Sequence, residues 1–125
     1  MFTPEIKTFP NPLLLAIDAA ERITVAANQA IAQSGLFSLV LSGGSTPKIV
    51  YDRLADEFRE RIDWSRVEIY FGDERCVPPD HEQSNFRMAN NSLLSKVPIP
   101  AENIHRMRGE IDPQQAATEY GQLLK

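Results

Sequence analysis

Three features of the sequence predict an α/β protein with an open, doubly wound, Rossmann-like parallel sheet in three layers, α/β/α. Short apolar runs alternate with helix-patterned segments. Each run opens into a polar loop, and several helices are announced by a capping residue followed by proline. Strands that alternate with helices pair in parallel through crossovers, and ligands in such sheets bind beyond the carboxyl ends of the strands.

Asn11-Pro12 reads as an N-cap with proline at the first helical position. Leu14, Ile17, Ala20, Ala27 and Ile31 continue an apolar face, and Gly35 is the expected stop. Phe37-Ser38-Leu39-Val40-Leu41 carries no charge, as expected for a strand covered on both faces. Thr46-Pro47 repeats the cap-and-proline signal for a helix to about Phe58, with Ile49, Val50 and Leu54 facing inward. Val67 to Phe71 gives a second strand. The polar stretch from Gly72 to Gln83 follows it, and Ser84 is placed to cap a helix carrying Phe86, Met88, Ala89, Leu93 and Leu94 that stops before Pro98. Ile104 to Met107 reads as a third short strand, and Asp112-Pro113 opens a final helix with Ala116, Ala117, Tyr120, Leu123 and Leu124.

Composition narrows the function classes. The 125 residues suit one domain, and a net charge of −4 without a long Lys/Arg run argues against nucleic acid or an anionic membrane as partner. No apolar run has the length of a membrane span, and Met1 to Pro10 lacks the pattern of a signal peptide, so the expected compartment is the cytoplasm. The single cysteine, Cys76, forms no internal disulfide, and two distant histidines offer no metal cluster.

Two loops carry the chemistry. Ser42-Gly43-Gly44-Ser45-Thr46-Pro47 joins a strand to a helix N-terminus, where backbone N–H groups and the helix dipole converge on an anion. Glycines allow close approach, and Ser45 and Thr46 add hydroxyl donors. The alternative is a tight turn with an ordinary cap. The spacing matches neither a Walker loop nor a dinucleotide fingerprint, so the phosphate ester of a small metabolite fits better than ATP or NAD. Gly72-Asp73-Glu74-Arg75 leaves the second strand at the same end of the sheet. Asp73 is suited to act as a base or to orient hydroxyls, and Arg75 to grip a carboxylate or phosphate; the alternative is a solvated ion pair. Ser84 and Asn85 start the next helix, where they either cap it or also aim polar groups into the crevice. Cys76 is given no role, His81 lies within reach of ligand, and Trp64, Tyr51 and Tyr70 are read as core or rim aromatics.

Taken together, Leu41 to Pro47, Tyr70 to Pro78, His81 and Ser84-Asn85-Phe86-Arg87-Met88 closely resemble the 6-phosphogluconolactonase family, from the first helix to Lys125. The resemblance implies hydrolysis of 6-phospho-D-glucono-1,5-lactone to 6-phosphogluconate in the oxidative pentose phosphate pathway, with no cofactor or metal. Gly43, Gly44, Ser45 and Thr46 match the family's ligand-binding glycine loop, and Asp73 and Arg75 its acidic and basic positions. Family members are longer, and their second half carries a Gly-x-Asp-Gly-His segment whose histidine is the base. Neither His81 nor His105 matches it.

The expectation is therefore that residues 1–125 form the N-terminal part of a single sugar-phosphate-binding domain. The base would lie outside them, and an uncovered sheet edge would favour self-association. Two alternatives remain. One is a glucosamine-6-phosphate deaminase, which favours Asp-Glu-Tyr where this chain has Asp73-Glu74-Arg75. The other is a non-catalytic sugar-phosphate-sensing domain.

Overall fold

The computed structural model describes residues 3–125. Helix α1 spans Pro12–Ser34, capped by the Asn11 side chain, which accepts the Leu14 N–H at 2.9 Å. Gly35 ends it in the left-handed region (φ 80°), donating its N–H to the Ile31 carbonyl. A side chain there would crowd its own backbone, so glycine is the residue that permits this stop.

The buried face of α1 is Ala16, Ala20, Thr24 and Ala27, rotated from the expected one. Leu14 is exposed and Ile17 half-buried. Small side chains let the helix approach its neighbours closely, so the alanine stripe rather than the larger residues takes the interior. The Thr24 hydroxyl is satisfied by the Ala20 carbonyl at 2.8 Å.

Strands β1 (Phe37–Leu41) and β2 (Val67–Phe71) pair in parallel, with Phe37 opposite Val67 and Leu41 opposite Phe71. Parallel neighbours need a crossover. Helix α2 (Ser45–Ala55) and two 3₁₀ turns at Arg59–Arg61 and Trp64–Arg66 supply it. Helix α2 starts earlier than the Thr46-Pro47 signal suggests. Gly44 is its N-cap and Pro47 its third residue, a position that still requires no N–H donor. Helix α3 (Asn85–Ala89) runs into a π-helical turn, Asn90–Leu94, and α4 spans Pro113–Leu123 behind the expected Asp112 cap.

The expected third strand does not form. Ile104 makes one isolated parallel bridge to Ile69, supported by the His105 N–H to the Ile69 carbonyl at 2.9 Å. Where the next ladder bond would fall, the Tyr120 hydroxyl of α4 intervenes. It accepts the Phe71 N–H at 2.9 Å and donates to the His105 carbonyl at 2.8 Å. A side chain thus holds the two backbones apart while satisfying both.

The core joins α1, α2, the α3 region and one face of the sheet: Leu41, Leu54, Val67, Ile69 and Leu93 are almost wholly enclosed. Burying each such side chain is worth about 1.5–3 kcal/mol. The opposite face is not covered as expected: Ser38 is exposed and Val40 is 60% exposed. Strand β1 has no neighbour beyond β2 among the described residues. No helix of the described residues is long and apolar enough to cross a membrane.

Candidate functional site

Parallel pairing brings both loops to one end of the sheet. Leu41 and Phe71 stand opposite each other, and the Gly72 N–H continues the ladder to the Leu41 carbonyl at 2.9 Å. The chain therefore leaves β1 through Ser42-Gly43 directly beside Gly72-Asp73.

The glycine loop is held from below by Tyr51. Its buried hydroxyl accepts the Ser42 N–H at 2.8 Å and donates to the Ser42 carbonyl at 3.0 Å. Burial pushes this phenol above its ordinary pKa, with the Ser42 contact partly opposing the shift. Gly44 adopts φ 104°, a conformation available to glycine and strained for other residues. No side chain caps α2. The N–H groups of Ser45 and Thr46 therefore lie at the positive end of the helix without an intrahelical acceptor, beside two exposed hydroxyls. This is a surface suited to anion oxygens.

The acidic loop is fixed by its neighbours. Asn85, buried at the start of α3, donates Nδ2 to Asp73 Oδ1 at 3.0 Å and to the Asp73 carbonyl at 3.3 Å. The other side of the same carboxamide lies against Gly43. A Cβ at Gly43 would fall on Asn85 Oδ1 and 2.6 Å from its Cγ. Asn85 is thus the physical link between the two loops.

Glu74 points the other way. Oε1 accepts the N–H groups of Arg75 (2.7 Å) and Asn85 (2.7 Å), and Oε2 accepts the Phe86 N–H and the Ser84 hydroxyl, both at 2.9 Å. Arg75 itself is exposed and enters no ion pair among the described residues, so its guanidinium is available to an anion. Behind the loop, Gly109 gives it room. A Cβ there would strike the Arg75 carbonyl and lie 2.5 Å from the Val77 carbonyl.

Several expected residues take different places. Ser84 is 2% exposed, and its hydroxyl is spent on Glu74 and on accepting the Arg87 N–H, so it caps α3 rather than facing a ligand. Asn85 likewise acts on Asp73 and Gly43 from a buried position. Ser42, Gly43, Gly44, Ser45, Thr46, Asp73 and Arg75 do gather at the strand ends. Neither histidine joins them as a base. His81 Nδ1 accepts the Gln83 N–H within its own turn, and His105 bonds Glu68 at 2.8 Å and stacks on Tyr70. Cys76 is exposed, and no group of metal-ligating side chains occurs among the described residues. An apolar groove of roughly 370 Å³ runs behind the acidic loop along α4, lined by Met107, Ile111, Tyr120 and Leu124, and none of the glycine loop borders it.

Comparison with known proteins gives the site a family. The model of the glucosamine-6-phosphate isomerases/6-phosphogluconolactonase family matches residues 10–125. The chain belongs to this family. Among relatives of this isomerase/lactonase group, a 6-phosphogluconolactonase of Treponema pallidum is 45% identical over 70% of the chain and 36% of its own length. One from Nostoc is 37% identical over 96% of the chain and 49% of its own length. The chain therefore spans half or less of the length of these relatives. The solved 6-phosphogluconolactonase of Trypanosoma brucei superposes with a TM-score of 0.85 at 30% identity, over 99% of this chain and 51% of that one. A monomeric glucosamine-6-phosphate deaminase, at 18% identity and TM-score 0.79, shows the same fold. The doubly wound α/β assignment of the isomerase/lactonase family thus holds, with two paired strands in the part described here.

Sequence reasoning missed Tyr51, Glu74 and Gly109. The Asp73-Glu74-Arg75 run drew attention to Glu74 only as part of a charged cluster. Nothing in the local pattern announces that Tyr51 reaches back nine residues to Ser42, or that Gly109 supports a loop more than thirty residues earlier.

Proposed function

We propose that this chain provides the sugar-phosphate-binding part of a 6-phosphogluconolactonase, acting on 6-phospho-D-glucono-1,5-lactone. The observation that carries the reading is the Asn85 bridge, which sets the Asp73 carboxylate beside a glycine loop at an uncapped helix start. The backbone N–H groups of Ser45 and Thr46 and the Arg75 guanidinium suit the phosphate and the oxygen that gains charge, while Asp73 suits the sugar hydroxyls. In the reaction, a base-activated water adds to the C1 carbonyl. The ring C1–O bond then breaks, and the ring oxygen takes a proton to become a hydroxyl, leaving 6-phosphogluconate. With His81 and His105 engaged elsewhere, the base on this reading comes from outside these residues. No step calls for a cofactor or metal.

On the same reading the protein works in the cytoplasm, and the exposed Val40 face beside the open β1 edge is where copies would associate.

The test is titration of the chain with 6-phosphogluconate followed by amide NMR, alongside hydrolysis of freshly made lactone corrected for spontaneous opening. Shifts concentrated at Gly43 to Thr46 and Asp73 are expected. Turnover is expected to appear when the chain is joined to the second half of the Nostoc relative. Ammonia release from glucosamine 6-phosphate by that joined protein, or no shift at the glycine loop, would refute the reading.

A further inference from the structure

We infer that Glu74 is a positioning residue: it locks the acidic loop to the start of α3 and so sets where Asp73 and Asn85 stand relative to the glycine loop. The inference rests on the proposed function for its ligand and on geometry for its mechanism. Both carboxylate oxygens of Glu74 are used, each by two donors, and three of the four donors are backbone N–H groups of Arg75, Asn85 and Phe86. Two of these belong to α3 and one to the loop, so one side chain ties the two segments together. Residue 73 precedes the lock and residue 85 lies inside it. The Asp73–Asn85 bond therefore joins two backbones whose separation Glu74 fixes.

Charge and shape are both needed. A glutamine has the same outline but one oxygen, and its NH₂ must face one of two donor pairs. If it faces Arg75 and Asn85, two N–H groups meet a donor. If it faces Ser84 and Phe86, the hydroxyl can turn to accept, but the Phe86 N–H is still left without an acceptor. Either orientation loosens the lock. Tyr51 and the start of α2 hold the phosphate-facing part of the glycine loop independently of Glu74.

The experiment compares wild type, Glu74→Gln and Glu74→Asp by amide hydrogen exchange and by affinity for 6-phosphogluconate and for inorganic phosphate. In Glu74→Gln, exchange at Asn85 and Phe86 should accelerate and 6-phosphogluconate should bind about 10–100-fold more weakly, the order expected when one hydrogen bond to a charged group is lost. Phosphate affinity should fall by less, because Tyr51 and the start of α2 hold the N–H groups of Ser45 and Thr46 independently of Glu74 while only Arg75 is loosened, a split that general destabilisation would not produce. Glu74→Asp, which keeps the charge, should recover part of both losses. It also serves as the test variant if the glutamine protein fails to fold. Unchanged protection at Asn85 and Phe86, or equal weakening of both ligands, overturns the inference. If wild type binds neither ligand, the functional reading fails on its own. Glu74 is then judged by the exchange data and by whether the Asn85 side-chain amide signals move in Glu74→Gln.

Discussion

Replacing Gly43 by alanine tests the contact that joins the two loops. Gly43 does not have a positive φ, so its backbone tolerates alanine and the effect must come from space. The new Cβ would collide with the Asn85 carboxamide, 2.6 Å from Cγ, and the only relief is to swing that group away from Asp73. Doing so breaks the 3.0 Å bond from Nδ2 to a carboxylate oxygen. A hydrogen bond to a charged group contributes about 1.5–3 kcal/mol, which corresponds to roughly a 10–150-fold loss in affinity for 6-phosphogluconate. Asn85→Ala removes the same bond without a collision and should cost about as much. In the double variant the added methyl meets no carboxamide, so its affinity should match that of Asn85→Ala alone. The two changes should thus be coupled by about 1.5–3 kcal/mol in a double-mutant cycle read by calorimetry. Additivity to within about 0.5 kcal/mol would refute the claim that Gly43 and Asn85 act through one another.

Two tyrosines offer further checks. Tyr51→Phe strips both partners from the Ser42 backbone and should lower stability by about 1–3 kcal/mol in urea unfolding, with faster exchange of the Ser42 amide. Tyr120→Phe removes the bridge between Phe71 and His105 and should cost a similar amount, about 1–3 kcal/mol, with faster exchange at Phe71 as its local signature. Burial raises the pKa of both phenols in the folded protein, so the folded state holds these protons more tightly than the unfolded chain. Their contribution is complete below the ordinary tyrosine value of about 10 and is lost as pH rises past it through the folded values. Urea midpoints should therefore fall above about pH 10, and each phenylalanine variant should flatten that fall. An equal alkaline slope in wild type and both variants would count against this assignment.

Much of the site was legible because its signals are local. Asn11, Ser84 and Asp112 cap helices through their own side chains, within three residues of the N–H groups they accept, and such short-range geometry is written in residue order. The same holds for the glycine loop, since the left-handed turn at Gly44 and the helix start at Ser45 follow from adjacent residues. The third strand misled because its apolar pattern from Ile104 suits a ladder, whereas the ladder bond at His105 is taken by a tyrosine fifteen residues later. The first helix misled for a related reason. Periodicity shows that a helix has an apolar side, but the neighbour decides which part of that side is approached, and α2 selects the alanines.

The sequence by itself determined the two paired strands, the order of the helices and the place of the two loops, because caps, glycine turns and apolar alternation act over a few residues. Only the tertiary structure decided what each loop residue does. Asn85 became the bridge between loops, Ser84 a buried cap and Glu74 a lock because parallel pairing of β1 and β2 brings residues 43, 73 and 85 together. Hydrogen-bond donors and acceptors so far apart in the chain find their partners only when the packed sheet and helices remove water as the alternative.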